Sequence, residues 1–507
     1  MISQLTARSL RLAACLVMAT VVLGAQARPV ATPAQRAQWL EMFARGYYPG
    51  RSGQVFVVAK EGHFVIYHDP LYGFMHGSPW EYDTHIPLVL YGRPFVKQGK
   101  WKEPARQQDI APTLGALIGA APSASMNGRV LKSALASTTE RPRLVVLVVL
   151  DAMRADYLTR DAGIMPTLTR LRDQGSWFTE TRINYLPTVT SVGHATIGTG
   201  TDPRFHGEVS NEMFNTVAGK RQLAYDGLDP RELMTPTLAD LWNLQAGGRA
   251  VIIGQGGAIR ATAGLVGHGA CLLNGHKMIA ASYNATDGGW ETNPQCFTMS
   301  DALKPFNART AWEAAGGMWM GHDVANASRF RHSALFQKFE GEALLAVLER
   351  EAIGADEVSD LVFVNMKGPD YVSHAYGPDS AEMKDELAEL DRQLAKLLEL
   401  VERKAGAGHV VMAITADHGQ PGDPGPTGRR YFDDVVASLN ARFDPSGKSI
   451  VNYYGDPANA QIYMNEERLR TLNVPMKAVA DFLASQDFYA AAFTEDEVRA
   501  AAGRLPR

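Results

Sequence analysis

Three short apolar runs in this chain end at or near an aspartate, and that pattern limits the fold more than any other feature. They are Leu144-Val-Val-Leu-Val-Val-Leu150 followed by Asp151, Leu361-Val-Phe-Val364 shortly before Asp370, and Val410-Val-Met-Ala-Ile-Thr-Ala416 followed by Asp417-His418. Runs of this length and β-branched character read as parallel strands covered on both faces. Ligands bind outside the carboxyl ends of such strands in open α/β sheets. Three carboxylates delivered there, with His374 four residues after Asp370 and His418 beside Asp417, repel one another unless cations hold them. Zinc accepts this mixture of Asp and His. A lone strand-end aspartate reads as a helix cap. Three together, two of them with a nearby histidine, read as a metal centre.

Beyond Asp370, the residues Met383, Leu387, Leu390, Leu394, Leu397 and Val401 recur at helical spacing. They predict an amphipathic helix whose stripe is core packing, and with the flanking runs they predict a βαβ unit. Residues 132–142 are small and polar and end in proline, so they read as a linker between two folded stretches. The Gly-, Ala-, Asn- and Trp-rich region from about 254 to 335 has weak periodicity and reads as a lid insertion. A chain of 507 residues exceeds one typical domain, and its net charge of -4 gives no basic footprint for nucleic acid.

The first 27 residues read as an export signal that is removed. Arg8 and Arg11 precede the apolar stretch Leu12 to Leu23, and Ala25-Gln26-Ala27 has the small-x-small form of a cleavage site. The stretch is short for a membrane span. A periplasmic or secreted protein with no stable membrane anchor is expected. Cys271 and Cys296 would remain, either as a disulfide or as two buried thiols.

Five motifs carry a resemblance. They are Leu150-Asp-Ala-Met-Arg-Ala-Asp-Tyr157, Pro187-Thr-x-Thr190-x-x-Gly-His194, His206-Gly-x-x-x-Asn211, Asp370-Tyr-Val-Ser-His374-Ala-Tyr-Gly-Pro and Thr415-Ala-Asp417-His418-Gly. Together they resemble the alkaline phosphatase superfamily, in its branch of threonine-nucleophile phosphatases and nucleotide pyrophosphatase/phosphodiesterases. The resemblance implies an α/β three-layer sandwich with a mainly parallel central sheet. The family's last histidine normally follows all these motifs, yet no histidine occurs after Gly419. A matching block, His76-Gly-Ser-Pro-Trp-Glu-Tyr-Asp-Thr-His85-Ile-Pro-Leu-Val-Leu-Tyr-Gly, stands near the N-terminus, with Asp109-Ile-Ala-Pro-Thr behind it. Circular permutation accounts for this: residues 28–131 would correspond to the family's C-terminal part, and 143–507 would form the main catalytic core.

The resemblance implies two Zn2+ ions, one held by Asp151, Thr190, Asp417 and His418, the other by Asp370, His374 and His85. Thr190 would attack phosphorus and form a phospho-threonine, and Asn211 with a backbone amide near Thr190 would hold the non-bridging oxygens. The Thr-x-x-Gly-His register favours Thr190 over its neighbours Thr188 and Ser191. His194 reads as a core or supporting residue, His206 as structural at a turn, and His268 and His276 as exposed loop residues.

The resemblance implies a small phosphate ester as substrate. Relatives that act on monoesters carry a Lys-x-Arg pair at a position where this chain has Gly254-Gln255-Gly256. Two absent cations and added room point to phosphodiesters or nucleotide pyrophosphates. The alternative is a phosphomonoesterase whose basic clamp comes from Arg260 or Lys277 in the lid. A sulfatase is disfavoured by the lack of a C/S-x-P-x-R motif in the nucleophile region, and a zinc-bearing binding protein by the intact nucleophile.

Overall fold

The computed structural model describes residues 31–506 other than 217, 273–274 and 456–459, so the export segment 1–27 lies outside the described residues. The central sheet contains β1 Leu88–Tyr91, β2 Gly99–Trp101, β3 Leu144–Leu150, β4 Ser176–Phe178, β5 Ile252–Gly256, β6 Met278–Tyr283, β7 Trp290–Glu291, β8 Phe297–Thr298, β9 Asp360–Met366 and β10 Val410–Thr415. Its order is β7-β6-β5-β9-β3-β10-β1-β4-β2, with β8 paired to β6. Strands β6, β5, β9, β3 and β10 run parallel. The three aspartate-terminated runs are therefore adjacent strands, and β3 sits between the other two.

Each of β3, β9 and β10 is buried along its whole length, as expected of apolar runs without alternation. Successive side chains nevertheless go to opposite faces. Val146 and Val148 pack with Leu387, Leu390 and Leu394 of the helix α5 Ala381–Ala405. Val145, Leu147 and Val149 pack with Ala195 and Ile197 of α1 Thr190–Thr199, and with Ala263 and Leu265 of α2 Ile259–Val266. Each valine, leucine or isoleucine among them contributes roughly 1.5–3 kcal/mol when fully buried. Two further helices, α3 Ala334–Arg350 and α4 Gly368–Tyr376, complete the layers near the site. The predicted helix over the leucine stripe is α5, and the β9-α4-α5-β10 crossover passes over β3 instead of joining neighbouring strands.

Strand β1 runs antiparallel to β10, with Leu88 opposite Thr415, so its N-terminal end lies beside the carboxyl end of β10. The strand Val55–Ala59 belongs to a second, antiparallel sheet between Gln461–Met464 and Tyr489–Thr494. Residues upstream of 131 thus enter both sheets. The 132–142 segment is not free along its length: Ala134 is buried, its carbonyl accepts from Lys97 N at 2.8 Å, and Ala136 N donates to Phe95 O at 2.9 Å.

The expectation of a lid from about 254 is corrected at its start. Residues 254–283 contribute β5, α2 and β6 to the core. Their glycines mark close packing and not irregular chain. A Cβ on Gly254 would lie 2.1 Å from Val266 Cγ1, one on Gly256 would lie 2.9 Å from Asn365 Cβ, and one on Gly264 would lie 2.8 Å from Ala195 N. Between β6 and α3 the chain does run through short strands and helices. Cys271 and Cys296 are disulfide-bonded.

Candidate metal and nucleophile centre

The three strand ends and the start of α1 meet at one buried point. Asp151 follows β3 and is succeeded by Ala152 at φ 58°, a left-handed conformation that costs a non-glycine residue energy and aims the turn. Ala152 N donates to Asp417 Oδ1 at 3.2 Å, which ties the ends of β3 and β10 together. Thr190 opens α1, where the helix dipole favours negative charge. Gly193 lets α1 approach Asp417, since a Cβ there would lie 2.7 Å from Asp417 Cβ.

Three histidines are set for ligation. His76, His374 and His418 place Nδ1 at 2.9, 2.7 and 2.9 Å from the carbonyl oxygens of Thr188, Phe74 and Gly419. Each Nδ1–H therefore donates to backbone, and each Nε2 lone pair is turned to the carboxylates. The rings of His76 and His418 stack with centroids 3.6 Å apart. Burial, followed by neighbouring histidines, lowers the His76 pKa well below the ordinary value, and burial lowers that of His418. Neutral imidazole is the form that binds metal.

Two ligand groups can be drawn from the distances. His418 Nε2 lies 3.5 Å from Thr190 Oγ, 3.5 Å from Asp151 Oδ1 and 3.3 Å from Asp417 Oδ2. Asp370 Oδ1 lies 3.3 Å from His374 Nε2 and 3.6 Å from His76 Nε2. A tetrahedral zinc with bonds of 2.0–2.1 Å has ligand-to-ligand edges of about 3.3–3.4 Å. Asp370 Oδ1 and Asp417 Oδ2 are buried without a hydrogen-bond partner, which a resident cation would repair. Burial, then the nearby Asp417 carboxylate, pushes the Asp151 pKa up to about 7, as expected of crowded carboxylates. These buried Asp and His side chains are of a type and spacing that could hold metal.

Asp151, His194 and Asp417 also place ligand atoms within 4.8 Å of one another. Both His194 nitrogens are already engaged, however. Nδ1 donates to Thr190 O at 2.9 Å, and Nε2 accepts from Asn365 Nδ2 at 3.0 Å. His194 is thus held by Thr190 O and Asn365 on its two ring nitrogens.

His85 is the correction. Its Nε2 donates to Thr179 O at 2.9 Å and its Nδ1 lies 3.6 Å from Glu81, so the ring faces β4 and not Asp370. His76, from the same block, is the histidine whose Nε2 lies beside Asp370, 3.6 Å from Oδ1. It reaches the centre from a loop held by Asp83, whose Oδ2 accepts from Gly77 N at 3.1 Å, Ser78 N at 2.8 Å and Ser78 Oγ at 2.6 Å. Burial raises the Asp83 pKa from 3.8 to about 7. The folded chain holds that proton to about pH 7, whereas the unfolded chain releases it near pH 4. Between those values the folded state binds more protons, so stability falls as pH rises. Urea unfolding should show wild type losing stability relative to Asp83→Asn from pH 4 to 7, and a constant difference across that range would refute this.

Asn211 is near the nucleophile, but its Oδ1 accepts from Ser191 N at 2.9 Å, so the closest amide after Thr190 is engaged by Asn211 itself. His206 is structural, bonded through Nε2 to Thr196 at 3.0 Å. His268 is not exposed: it is buried with Nδ1 2.9 Å from Asp240 Oδ2. His276 is exposed, and Lys277 turns its ammonium to Pro294 O at 2.5 Å.

Sequence reasoning missed Asn365 and Lys367 at the end of β9. Asn365 Nδ2 donates to Asp151 Oδ2 at 2.9 Å. Lys367 Nζ lies 2.8 Å from Asp151 Oδ1, 2.6 Å from Asp370 Oδ2 and 3.0 Å from Thr190 Oγ. Burial alone would lower its pKa, yet Asp151 and Asp370 raise it above the ordinary lysine value. Beside the centre is a cavity of about 340 Å³ lined by His76, His374, Asn211, Tyr72, Arg260 and Arg331, among others. Arg331 donates to Tyr72 Oη at 3.2 Å, and the Tyr72 ring lies 5.1 Å from that of His374.

The profile of the type I phosphodiesterase / nucleotide pyrophosphatase family matches residues 145–486. The chain belongs to that family. Among similar proteins, alkaline phosphatase PafA of Elizabethkingia meningoseptica is 25% identical over 417 residues, covering 68% of this chain and 73% of that one. Alkaline phosphatase PhoV of Synechococcus elongatus is 25% identical over 353 residues, covering 59% and 62%. The crystal structure of wild-type PafA superposes with a TM-score of 0.58 at 22% identity, over 69% of this chain and 77% of that one. This establishes the alkaline-phosphatase-like α/β fold. The phosphodiesterase family match begins inside β3, so His76 and β1 fall outside it.

Proposed function

We propose that this chain is an exported two-zinc phosphoester hydrolase with Thr190 as nucleophile and phosphomonoesters as preferred substrates. The observation that carries the reading is the convergence on Thr190 of His418, Asp151 and Asp417, beside a second group of Asp370, His374 and His76. The first group, with Thr190 Oγ, would hold one ion and the second group the other. When bound, the ions polarise phosphoryl oxygens and offset charge on the attacking and departing oxygens. Zinc suits the mixture of imidazole and carboxylate donors.

Thr190 loses its hydroxyl proton to solvent, its Oγ bonds to phosphorus, and the ester P–O bond breaks with its electron pair on the leaving oxygen, which takes a proton from solvent to depart as the alcohol. Water then cleaves the Oγ–P bond and inorganic phosphate departs. The start of α1 favours the accumulating negative charge, and Asn211, fixed by Ser191 N, sits where it can orient the phosphoryl group.

A diester preference rests on glycines 254 and 256 withdrawing cations and leaving room. Val266, Thr262 and Asn365 fill that room. Two cations, Arg260 and Arg331, instead line the cavity. The exposed Asp226 and half-buried Glu291 on the same cavity oppose a second phosphate group. These features support the monoester reading with a relocated clamp; Arg260 comes from α2 and not from a lid.

The test is the ratio of kcat/KM for p-nitrophenyl phosphate to that for bis-p-nitrophenyl phosphate. Wild type should favour the monoester. Arg260→Ala or Arg331→Ala should lower the monoester value roughly 10- to 150-fold, the equivalent of one charge-assisted hydrogen bond, and the diester value less. Wild type favouring the diester would overturn the substrate assignment.

Export is supported by Arg8, Arg11 and the Ala25-x-Ala27 site. No helix among the described residues is long and apolar enough to cross a membrane. Circular permutation is supported by His76 reaching the centre from the N-terminal side, and by Val55–Ala59 pairing with strands near the C-terminus.

A further inference from the structure

Lys367 is fully buried where β9 gives way to α4, a place where an unpaired ammonium would be costly. Its three hydrogens meet three acceptors: Asp370 Oδ2 at 2.6 Å, Asp151 Oδ1 at 2.8 Å and Thr190 Oγ at 3.0 Å. The backbone is pinned by Glu340 Oε1, which accepts from Lys367 N at 2.9 Å and Gly368 N at 3.3 Å. Gly257 makes the space, since a Cβ there would lie 2.5 Å from Lys367 Cβ. The ammonium uses Asp370 Oδ2, whereas His76 and His374 face Oδ1. It stands on the opposite oxygen of Asp370 from the second ligand group, and it shares Asp151 Oδ1 and Thr190 Oγ with the first. Three carboxylates converge here, and two metal ions with one ammonium would leave the centre able to accept an anion.

We propose that Lys367 is a catalytic residue, a cation tethered to the chain that donates to Thr190 Oγ and stabilises its negative charge during phosphoryl transfer. The inference rests on the reading of Thr190 as nucleophile. As the Oγ–P bond forms and the ester P–O bond breaks, the Lys367 side chain stays anchored by Asp151 and Asp370 with a hydrogen bond to Oγ. As water displaces phosphate from Thr190, the same contact stabilises Oγ as the leaving oxygen. A neutral side chain would leave two carboxylates and the nucleophile without this donor. The glycines at 254 and 256 leave the end of β5 without a cation, and β9, the adjacent strand, provides one.

The test compares Lys367→Met, Lys367→Ala and Lys367→Arg with wild type in the full-length, metal-loaded enzyme. Metal content is read by elemental analysis, and turnover by p-nitrophenyl phosphate. Loss of one preorganised donor predicts a fall in kcat of roughly 10²–10³-fold for Met and Ala. Metal content should match wild type, and Arg should retain more activity than Met. Millimolar methylammonium should raise the rate of Lys367→Ala tenfold or more, while methanol should not. Turnover of the Met and Ala variants within about threefold of wild type would overturn the proposal. So would a fall that tracks lost metal and is not reversed by methylammonium. Thr190→Ala separates the two levels of the argument. If it is inert while the Lys367 variants are fully active, only the lysine assignment fails; if it is active, the nucleophile reading fails.

Discussion

Thr190→Ala is expected to lose roughly 10³–10⁶-fold in kcat, the range seen when a covalent nucleophile is removed. The substitution removes Oγ alone. It leaves the start of α1, the Asn211 contact to Ser191 N and six protein ligands in place. Unfolding midpoint and metal content should therefore stay close to those of wild type. That separation matters because Thr190 is buried, and a general loss of stability would also reduce turnover. A variant that keeps more than about a tenth of wild-type kcat would be incompatible with attack by this oxygen.

His76→Ala is the second large effect. Removing Nε2 strips one of three ligands from the Asp370 group, and buried Asp370 is left with His374 as its imidazole neighbour there. Metal content should fall to about one ion per chain, and kcat/KM should fall on the order of 10²–10⁴-fold through loss of leaving-oxygen stabilisation. His85→Ala should leave metal content unchanged, since that ring serves the Thr179 carbonyl. The paired measurement also tests the permutation. Reversed results would return the ligand to His85 and remove the support that His76 gives to it.

The parts of the centre carried by buried strands were legible in the sequence. Asp151, Asp370 and Asp417 follow runs whose burial is continuous, and parallel pairing leaves their ends little choice of position. The α5 stripe was legible for the same reason, because helical periodicity reports a buried face directly. His76 and His85 could not be separated in this way. Both precede β1, and antiparallel pairing of β1 with β10 brings that whole end of the chain near Asp417. Which ring turns inward depends on the Asp83-capped loop, a tertiary detail. The glycines between 254 and 264 misled because a small residue at a helix–strand contact has the same letter as one in a mobile loop. Lys367-Gly-Pro resembles an ordinary turn, and only the three-dimensional meeting of β9 with Asp151 and Thr190 gives the lysine its partners. Arg331 was invisible for a similar reason: it reaches the cavity from just before α3, far in sequence from every motif.

The most direct test of the central claim is to trap the intermediate. Enzyme turning over p-nitrophenyl phosphate is quenched in acid, digested and mapped by mass spectrometry. A phosphate on the peptide containing Thr190, absent without substrate and absent in Thr190→Ala, is the predicted result. Phosphate on another residue, or burst release of p-nitrophenol from a Thr190→Ala enzyme, would contradict it.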